Sequence, residues 1–156
     1  MAQEIERKFL LANDRWRSEA DAGSLFRQGY IQTAYPGQSV RVRLAGDAGF
    51  LTIKGPTEGL TRAEFEFAIP ADDARALLDT QCGQPLIEKT RYLIERDDVV
   101  WEIDVFGGAN TGLTVAEVEL ESEAQAFDRP DWLGEEVSYD PRYFNVALSA
   151  HPYSDW

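Results

Sequence analysis

The chain has 156 residues, of which 28 are acidic and 15 are basic, and its formal net charge is −13. This length suits one domain with a hydrophobic core and is too short for two domains of ordinary size. An apolar fraction of 44% argues against a disordered chain. Because an acidic surface repels nucleic acid and anionic lipid, we expect neither a nucleic-acid nor a membrane partner.

The chain has too few cysteine and histidine residues for a disulfide or for a zinc site built from these two residue types. The single cysteine, Cys82, excludes an internal disulfide, and the charged first residues leave no apolar signal region, so a cytoplasmic location is predicted. No stretch approaches the roughly 18 apolar residues of a membrane span. The only histidine, His151, cannot form a zinc site with Cys82 alone.

Apolar and polar residues alternate with period two along most of the first 121 residues, which predicts about eight β-strands. The alternating runs lie near residues 4–9, 25–33, 40–44, 51–54, 62–69, 89–95, 101–105 and 116–121. Short turn-forming segments, such as Tyr35–Gln38, Gly55–Gly59 and Asp97-Asp98, separate neighbouring runs. Such short connections favour antiparallel pairing.

Three segments interrupt the strands with helical patterns. Asn13 can cap a short helix that ends near Ala20, and residues 71–82 carry apolar side chains at helical spacing. Pro141 can start a third helix, within a C-terminal segment of about residues 123–150 that we expect to be helical. The sequence therefore predicts a single α+β domain over residues 1–156, built on a sandwich or a barrel.

The polar sides of the predicted strands are unusually rich in charge. The basic residues are Lys8, Arg41, Arg43, Lys54, Arg62, Lys89 and Arg91. The acidic residues are Glu4, Glu6, Glu64, Glu66, Asp104, Glu117, Glu119 and Glu121. All three lysines of the protein belong to this set, whereas the predicted loops and helices contain none.

These charges allow two interpretations. They can lie on the solvated face of a sandwich, in weak cross-strand pairs, and alternation alone favours this arrangement. Alternatively, they can line a closed barrel, where burial is costly unless the charges are paired, hydrated or bound to ions. Such a lumen would suit a polyanion held by Lys and Arg together with Mg²⁺ or Mn²⁺ held by carboxylates.

A series of motifs along the chain resembles the CYTH superfamily, also called triphosphate tunnel metalloenzymes. The first motif is Glu4-x-Glu6-x-Lys8. It is followed in order by Gln28-Gly29-Tyr30, Arg41-x-Arg43, Thr52-Ile53-Lys54-Gly55, Arg62-x-Glu64-x-Glu66, Glu88-Lys89-x-Arg91, Asp104-Val105-Phe106, Glu117-x-Glu119, Trp132-Leu133-Gly134 and Arg142-Tyr143-x-Asn145. The resemblance is greatest to the short bacterial branch that includes inorganic triphosphatases.

The resemblance implies a closed eight-stranded antiparallel β-barrel, with a charged lumen and a few flanking helices. It implies that metal is held by Glu4, Glu6, Glu117 and Glu119. It assigns substrate phosphates to Lys8, Arg41, Arg43, Lys54, Lys89 and Arg91, with a hydrogen bond from Tyr30. The expected catalytic set is Lys8 with Glu64, Glu66 and Asp104, the three acids either orienting cations or helping to bind a second metal and position water. Glu121 would bind metal through water, and Arg62 is left out because it lies near a hairpin.

The implied activity is metal-dependent hydrolysis of inorganic triphosphate. The sequence leaves open a thiamine triphosphatase, a nucleoside triphosphatase, a class IV adenylyl cyclase and a non-catalytic polyphosphate- or nucleotide-binding module. A plain structural sandwich would have no anion site at all. An apolar outer barrel face that the helices leave uncovered would favour a homodimer.

Overall fold

A computed structural model describes residues 2–156. Its strands are β1 Gln3–Leu11, β2 Ser24–Ile31, β3 Ser39–Ala45, β4 Ala48–Lys54, β5 Thr61–Ile69, β6 Ile87–Arg96, β7 Val99–Phe106, β8 Thr114–Glu119 and β9 Leu133–Glu136. Its helices are α1 Ala71–Thr80 and α2 Asn145–Ala150. Single 3₁₀ turns cover Arg15–Ser18, Gly108–Asn110, Pro141–Tyr143 and Tyr153–Asp155.

The first eight strands form a closed antiparallel barrel, which confirms the fold predicted from the resemblance. Their order around the barrel is β1-β8-β7-β6-β2-β3-β4-β5, and β5 returns to pair with β1. The ladder that closes the barrel is short, since only Gln3, Glu4 and Ile5 of β1 face residues of β5. The pairing of β1 with β8 is longer and places Glu6 opposite Glu119 and Lys8 opposite Glu117.

The ninth strand was not predicted, and the expectation of a helical segment over about residues 123–150 is wrong in its first half. Strand β9 pairs with the C-terminal part of β1, where Phe9 faces Glu136 and Leu11 faces Leu133. This part of β1 lies beyond its pairing with β5, so its backbone groups need another partner. A four-residue strand with the sequence Leu-Gly-Glu-Glu carries too little alternation to be seen in the sequence.

The main hydrophobic clusters lie on the outside of the barrel wall. Phe9, Trp101 and Trp132 are buried together on the outer face of β1, β7 and β8, with the Phe9 and Trp101 ring centroids 5.8 Å apart. On the opposite side, α1 packs Leu78 against Val42 of β3. The alternating pattern therefore directs its apolar residues outward under covering segments and its charges inward.

The inner face becomes apolar at one end of the barrel. Ile87 of β6, Phe106 of β7 and Val115 of β8 cluster there with Leu148 of α2, which is fully buried. Helix α2 thus packs into this end of the barrel, because burying these side chains against one another removes them from water. No helix within residues 2–156 is both long and apolar enough to cross a membrane.

Candidate active site

A single cavity in the barrel brings together most of the predicted substrate- and metal-binding residues. The predicted residues that line it are Glu4, Glu6, Lys8, Tyr30, Arg41, Arg43, Lys54, Lys89, Arg91 and Glu117. They come from β1, β2, β3, β4, β6 and β8, in each case from alternate positions that face the lumen. The charged faces therefore line the interior and are not a solvated outer surface.

Lys89 and Arg91 share a buried carboxylate. Asp104 is fully buried and accepts hydrogen bonds from Lys89 Nζ at 2.8 Å and from both Nε and Nη2 of Arg91 at 2.8 Å. Burial, with Arg91 and Arg43 nearby, lowers the pKa of Lys89 to about 7 against the opposing effect of Asp104. Glu102 takes a further hydrogen bond from Arg91 at 2.5 Å. These contacts fix the orientation of two cations in the lumen wall.

Lys54 links β4 to both strands at the barrel closure. Its Nζ donates to the Glu4 carboxylate at 2.8 Å and lies 3.5 Å from Glu64. Burial raises the pKa of Glu4, as does its hydrogen bond with Glu64, against the opposing effect of Lys54. This cluster therefore holds closely spaced carboxylates around one lysine.

Arg41 and Arg43 each keep guanidinium N–H donors that have no acceptor among the described residues. Arg41 Nη2 lies 3.8 Å from Glu66, but its buried Nε has no hydrogen-bond partner within residues 2–156. Arg43 donates from Nε to the amide oxygen of Gln28 at 2.9 Å and forms no ion pair with a described residue. Burial, with Arg41 and Arg91 close by, lowers the pKa of Arg43 to about 10. Both arginines therefore retain the capacity to bind an anion.

The acidic part of the site lies along β1 and β8. The Glu6 carboxylate makes no hydrogen bond or ion pair with the other described residues, and burial, Glu117 and Glu4 raise its pKa to about 8. Glu119, directly opposite Glu6, also has a raised pKa because of partial burial and neighbouring carboxylates. Glu117 behaves differently: burial acts to raise its pKa, but Lys8, at 3.5 Å, and Arg91 hold the pKa well below its usual range.

The acidic residues fit a hard divalent cation, although they are not arranged as a complete site. Opposed carboxylates such as Glu6 and Glu119 repel one another unless protonated or bound to a cation. Carboxylate oxygens are the ligands that Mg²⁺ and Mn²⁺ prefer. Within residues 2–156, however, no three acidic, histidine or cysteine side chains form a preorganised metal cluster. Glu4 is paired with Lys54 and Glu117 with Lys8, so these two carboxylates are directed toward lysines and not toward a common metal position.

Four predicted acids are not among the residues that line the cavity. Glu119, the last residue of β8, is exposed. Asp104 lies behind Lys89 and Arg91, while Glu64 and Glu66 contact Lys54 and Arg41 from strand β5. These positions favour the expected role in orienting cations over the role in positioning water. Glu121, which was expected to bind metal through water, lies beyond the end of β8, is exposed and does not line the cavity.

Several cavity residues were missed by sequence reasoning. Arg62 lines the cavity despite its place near a hairpin, because its guanidinium donates to the carbonyls of Gly55 and Gly37 and is thereby held at the mouth. Phe144 and Asn145 reach the cavity from the C-terminal segment. Asn145 stood within a motif that carried the family resemblance, but no periodicity indicated that it would meet the barrel strands.

Comparison with known proteins agrees with this architecture. The sequence profile of the CYTH domain matches residues 2–145. The chain belongs to the CYTH domain family. The eight-stranded barrel and the charged cavity described above are therefore those of a CYTH domain.

Two relatives of similar length are inorganic triphosphatases. The one from Acetivibrio thermocellus is 45% identical over 156 residues, which cover 100% of this chain and 99% of the relative. The one from Nitrosomonas europaea is 42% identical over 149 residues, which cover 94% of this chain and 96% of the relative.

Solved structures share the fold. The crystal structure of an inorganic triphosphatase superposes on this CYTH domain with a TM-score of 0.64 and 38% identity, covering 93% of this chain and 96% of that one. A protein from Pyrococcus horikoshii gives a TM-score of 0.60 at 18% identity, covering 77% and 79% of the two chains. At that identity the likeness concerns the fold alone.

Proposed function

We propose that this CYTH domain hydrolyses inorganic triphosphate to diphosphate and phosphate, with Mg²⁺ or Mn²⁺ as cofactor. One observation carries the proposal: seven basic side chains on five strands line the same cavity as Glu6, whose carboxylate lies opposite Glu119 and has no ion-pair partner among residues 2–156. A short phosphate chain and a divalent cation would satisfy both sets of charges. The inorganic triphosphatases with which this chain aligns over nearly its full length support the same substrate.

In this proposal the basic residues of the lumen bind the phosphate chain and stabilise its charge. Side chains two positions apart on one strand face lie about 6.5–7 Å apart, so Arg41 and Arg43, like Lys89 and Arg91, can contact successive phosphates. Their charges stabilise the diphosphate that leaves as water attacks the terminal phosphorus in line. Tyr30, which also lines the cavity, can add a hydrogen bond.

In this proposal the glutamates of β1 and β8 bind the metal ion. Glu6 and Glu119 are the first candidates because each has a raised pKa, and Glu4 and Glu117 lie on the same two strands. When bound, the cation neutralises the phosphate chain and lowers the pKa of the attacking water. Asp104, Glu64 and Glu66 orient Lys89, Arg91, Lys54 and Arg41, so that the lumen keeps its geometry as the substrate changes charge.

The substrate is tested by comparing tripolyphosphate, thiamine triphosphate and ATP side by side. Tripolyphosphate should be the best substrate, and phosphate release should require Mg²⁺ or Mn²⁺ and stop with chelator. Preference for thiamine triphosphate or ATP would reassign the substrate, and formation of cyclic AMP would identify a cyclase. Tight binding without turnover in the presence of both metals would identify a binding module.

The residue assignments are tested by Lys8→Ala and Glu119→Ala. Each should lower the rate of phosphate release by about 10²-fold or more, because each removes a group expected to act on charge that develops in the transition state. Arg75→Ala, on the exposed side of α1, is the matched control and should keep the wild-type rate. Full activity of either lumen variant, with an unchanged circular-dichroism spectrum, would remove that residue from the site.

A further inference from the structure

We propose that Asn145 is a positioning residue, which holds Lys89 directly and Arg43 through Gln28 so that both cations are aimed at the substrate. The inference rests on the proposed function, because that function assigns Lys89 and Arg43 to phosphate binding. Asn145 is the first residue of α2 and lines the cavity, although its helix follows the barrel strands by many residues.

The contacts form one continuous chain of hydrogen bonds. Asn145 Oδ1 accepts from Lys89 Nζ at 3.0 Å and from Gln28 Nε2 at 3.2 Å. Gln28 Oε1 in turn accepts from Arg43 Nε at 2.9 Å. The chain therefore joins α2 to β6, β2 and β3, and it connects two phosphate-binding cations that do not touch each other.

The hydrogen bonds through Asn145 and Gln28 differ in chemistry from the ion pairs elsewhere in the lumen. Two neutral carboxamides can orient a cation without cancelling its charge, whereas a carboxylate would compete with the substrate. In its protonated form Lys89 has three N–H donors, and Asp104 and Asn145 each accept from it, so one donor is left for phosphate. Arg43 keeps its remaining donors, since its bond to Gln28 uses Nε.

A neighbouring contact supports the same role for the C-terminal segment. Lys8 Nζ donates to the Tyr143 carbonyl at 3.1 Å and lies 5.5 Å from the centre of the Phe144 ring. Residues 143–145 thus contact both Lys8 and Lys89 within the barrel. Because Leu148 anchors α2 in the apolar end of the barrel, the docking of this helix sets the positions of these contacts.

A purely structural role for Asn145 predicts a different result from a positioning role. If Asn145 only satisfies buried polar groups, its loss lowers stability and leaves substrate affinity unchanged. If it positions Lys89 and Arg43, its loss weakens binding of the phosphate chain in the folded protein. Steady-state KM and kcat, measured together with the melting temperature, separate the two.

The experiment uses Asn145→Leu and Gln28→Leu, which remove the hydrogen bonds with little change in volume, and the double variant. Each single variant should raise KM for tripolyphosphate by about tenfold or more, as expected for loss of a hydrogen bond to a charged group, with a much smaller effect on kcat. The double variant should be little worse than the poorer single one, because both belong to one chain. Ser149→Ala, on the same helix, should match the wild type.

A wild-type KM in folded Asn145→Leu would overturn the inference, as would equal impairment of Ser149→Ala. Additive effects of the two leucine variants would also contradict a single connected chain. If the wild-type protein does not hydrolyse tripolyphosphate, the proposed function fails, and calorimetric binding of tripolyphosphate to the same variants still decides the role of Asn145. If Asn145→Leu does not fold, KM and the melting temperature of Gln28→Leu test the same hydrogen bonds, because Gln28 on β2 bonds both Asn145 and Arg43.

Discussion

The charged residues of the lumen divide into those with partners and those without. Asp104 is held by Lys89 and Arg91, and a buried carboxylate in such contacts keeps its charge and anchors its neighbours. Glu6 has no such partner within residues 2–156 and lies among carboxylates. The two acids have the same chemistry, and only their surroundings pair one with two cations and leave the other among carboxylates.

The raised pKa of Glu6 predicts a dependence of stability on pH. Because its folded-state pKa is about 8 and its usual value is 4.5, the folded protein binds an extra proton between these values. The contribution of Glu6 to the free energy of unfolding is therefore fully present below about pH 4.5 and is lost as pH rises through about 8. In the metal-free protein, Glu6→Gln should remove this decline between pH 6 and pH 9, as measured by urea unfolding.

The same variant tests whether Glu6 binds the cation. Metal binding requires the deprotonated carboxylate, so Mn²⁺ should raise the melting temperature more at pH 8.5 than at pH 6. Glu6→Gln should lose most of this increase, while Glu95→Gln, an exposed residue on β6, should retain it. An equal Mn²⁺ effect in Glu6→Gln and wild type would exclude Glu6 as a ligand.

At the scale of elements, the barrel depends on segments that pack against it from outside and from one end. Helix α1 covers β3 through Leu78. The segment between α1 and β6 approaches β2 so closely that a Cβ at Gly29 would lie 2.7 Å from Leu86 and 2.8 Å from Cys82. Helix α2 has only six residues and would be marginal alone. Its stability must therefore come from burial of Leu148 inside the barrel end.

Leu148→Ala tests the contribution of α2. The substitution removes a fully buried side chain from the cluster with Ile87, Phe106 and Val115, so it should cost about 2–5 kcal/mol of unfolding free energy. Val146→Ala, at a position that is 40% exposed on the same helix, should change stability by no more than about 0.5 kcal/mol. Similar urea midpoints for the two variants would contradict an anchoring role for Leu148.

At the scale of the whole molecule, the net charge of −13 and an anionic substrate coexist because the charges are segregated. All three lysines and several arginines lie on the inner barrel face, while much of the acidic excess lies elsewhere. Like charges packed in one cavity repel each other and are relieved by a bound polyanion. The barrel should therefore be more stable with its substrate than without it.

This stabilisation can be measured without turnover by working in chelator. Tripolyphosphate at about 100 times its dissociation constant should add about 2.7 kcal/mol of stability. For a domain of this size that corresponds to an increase in melting temperature of about 5–10 °C. Lys54→Ala should lose much of the increase, whereas Arg75→Ala on α1 should keep it. No increase in the wild type would show that the lumen does not bind the anion without metal.

The strands and their two faces were predictable because alternation is local: each residue's side in a strand follows from its neighbours. Motifs such as Glu4-x-Glu6-x-Lys8 therefore pointed to residues that line the cavity. Strand β9 and the role of α2 were not predictable in this way. Each is short, and each forms because an unpaired edge of β1 or an apolar barrel end is available to it.

The sequence by itself determined which residues form the charged faces and, through the motifs, the CYTH family. Whether those faces point into a lumen was decided only by closure of β1 on β5, since an open sheet would leave the same charges in water. Tertiary structure also decided which charges are paired. Glu6 and Asp104 occupy similar positions in similar patterns, but only the packing of distant strands places Lys89 and Arg91 against Asp104 and leaves Glu6 among carboxylates.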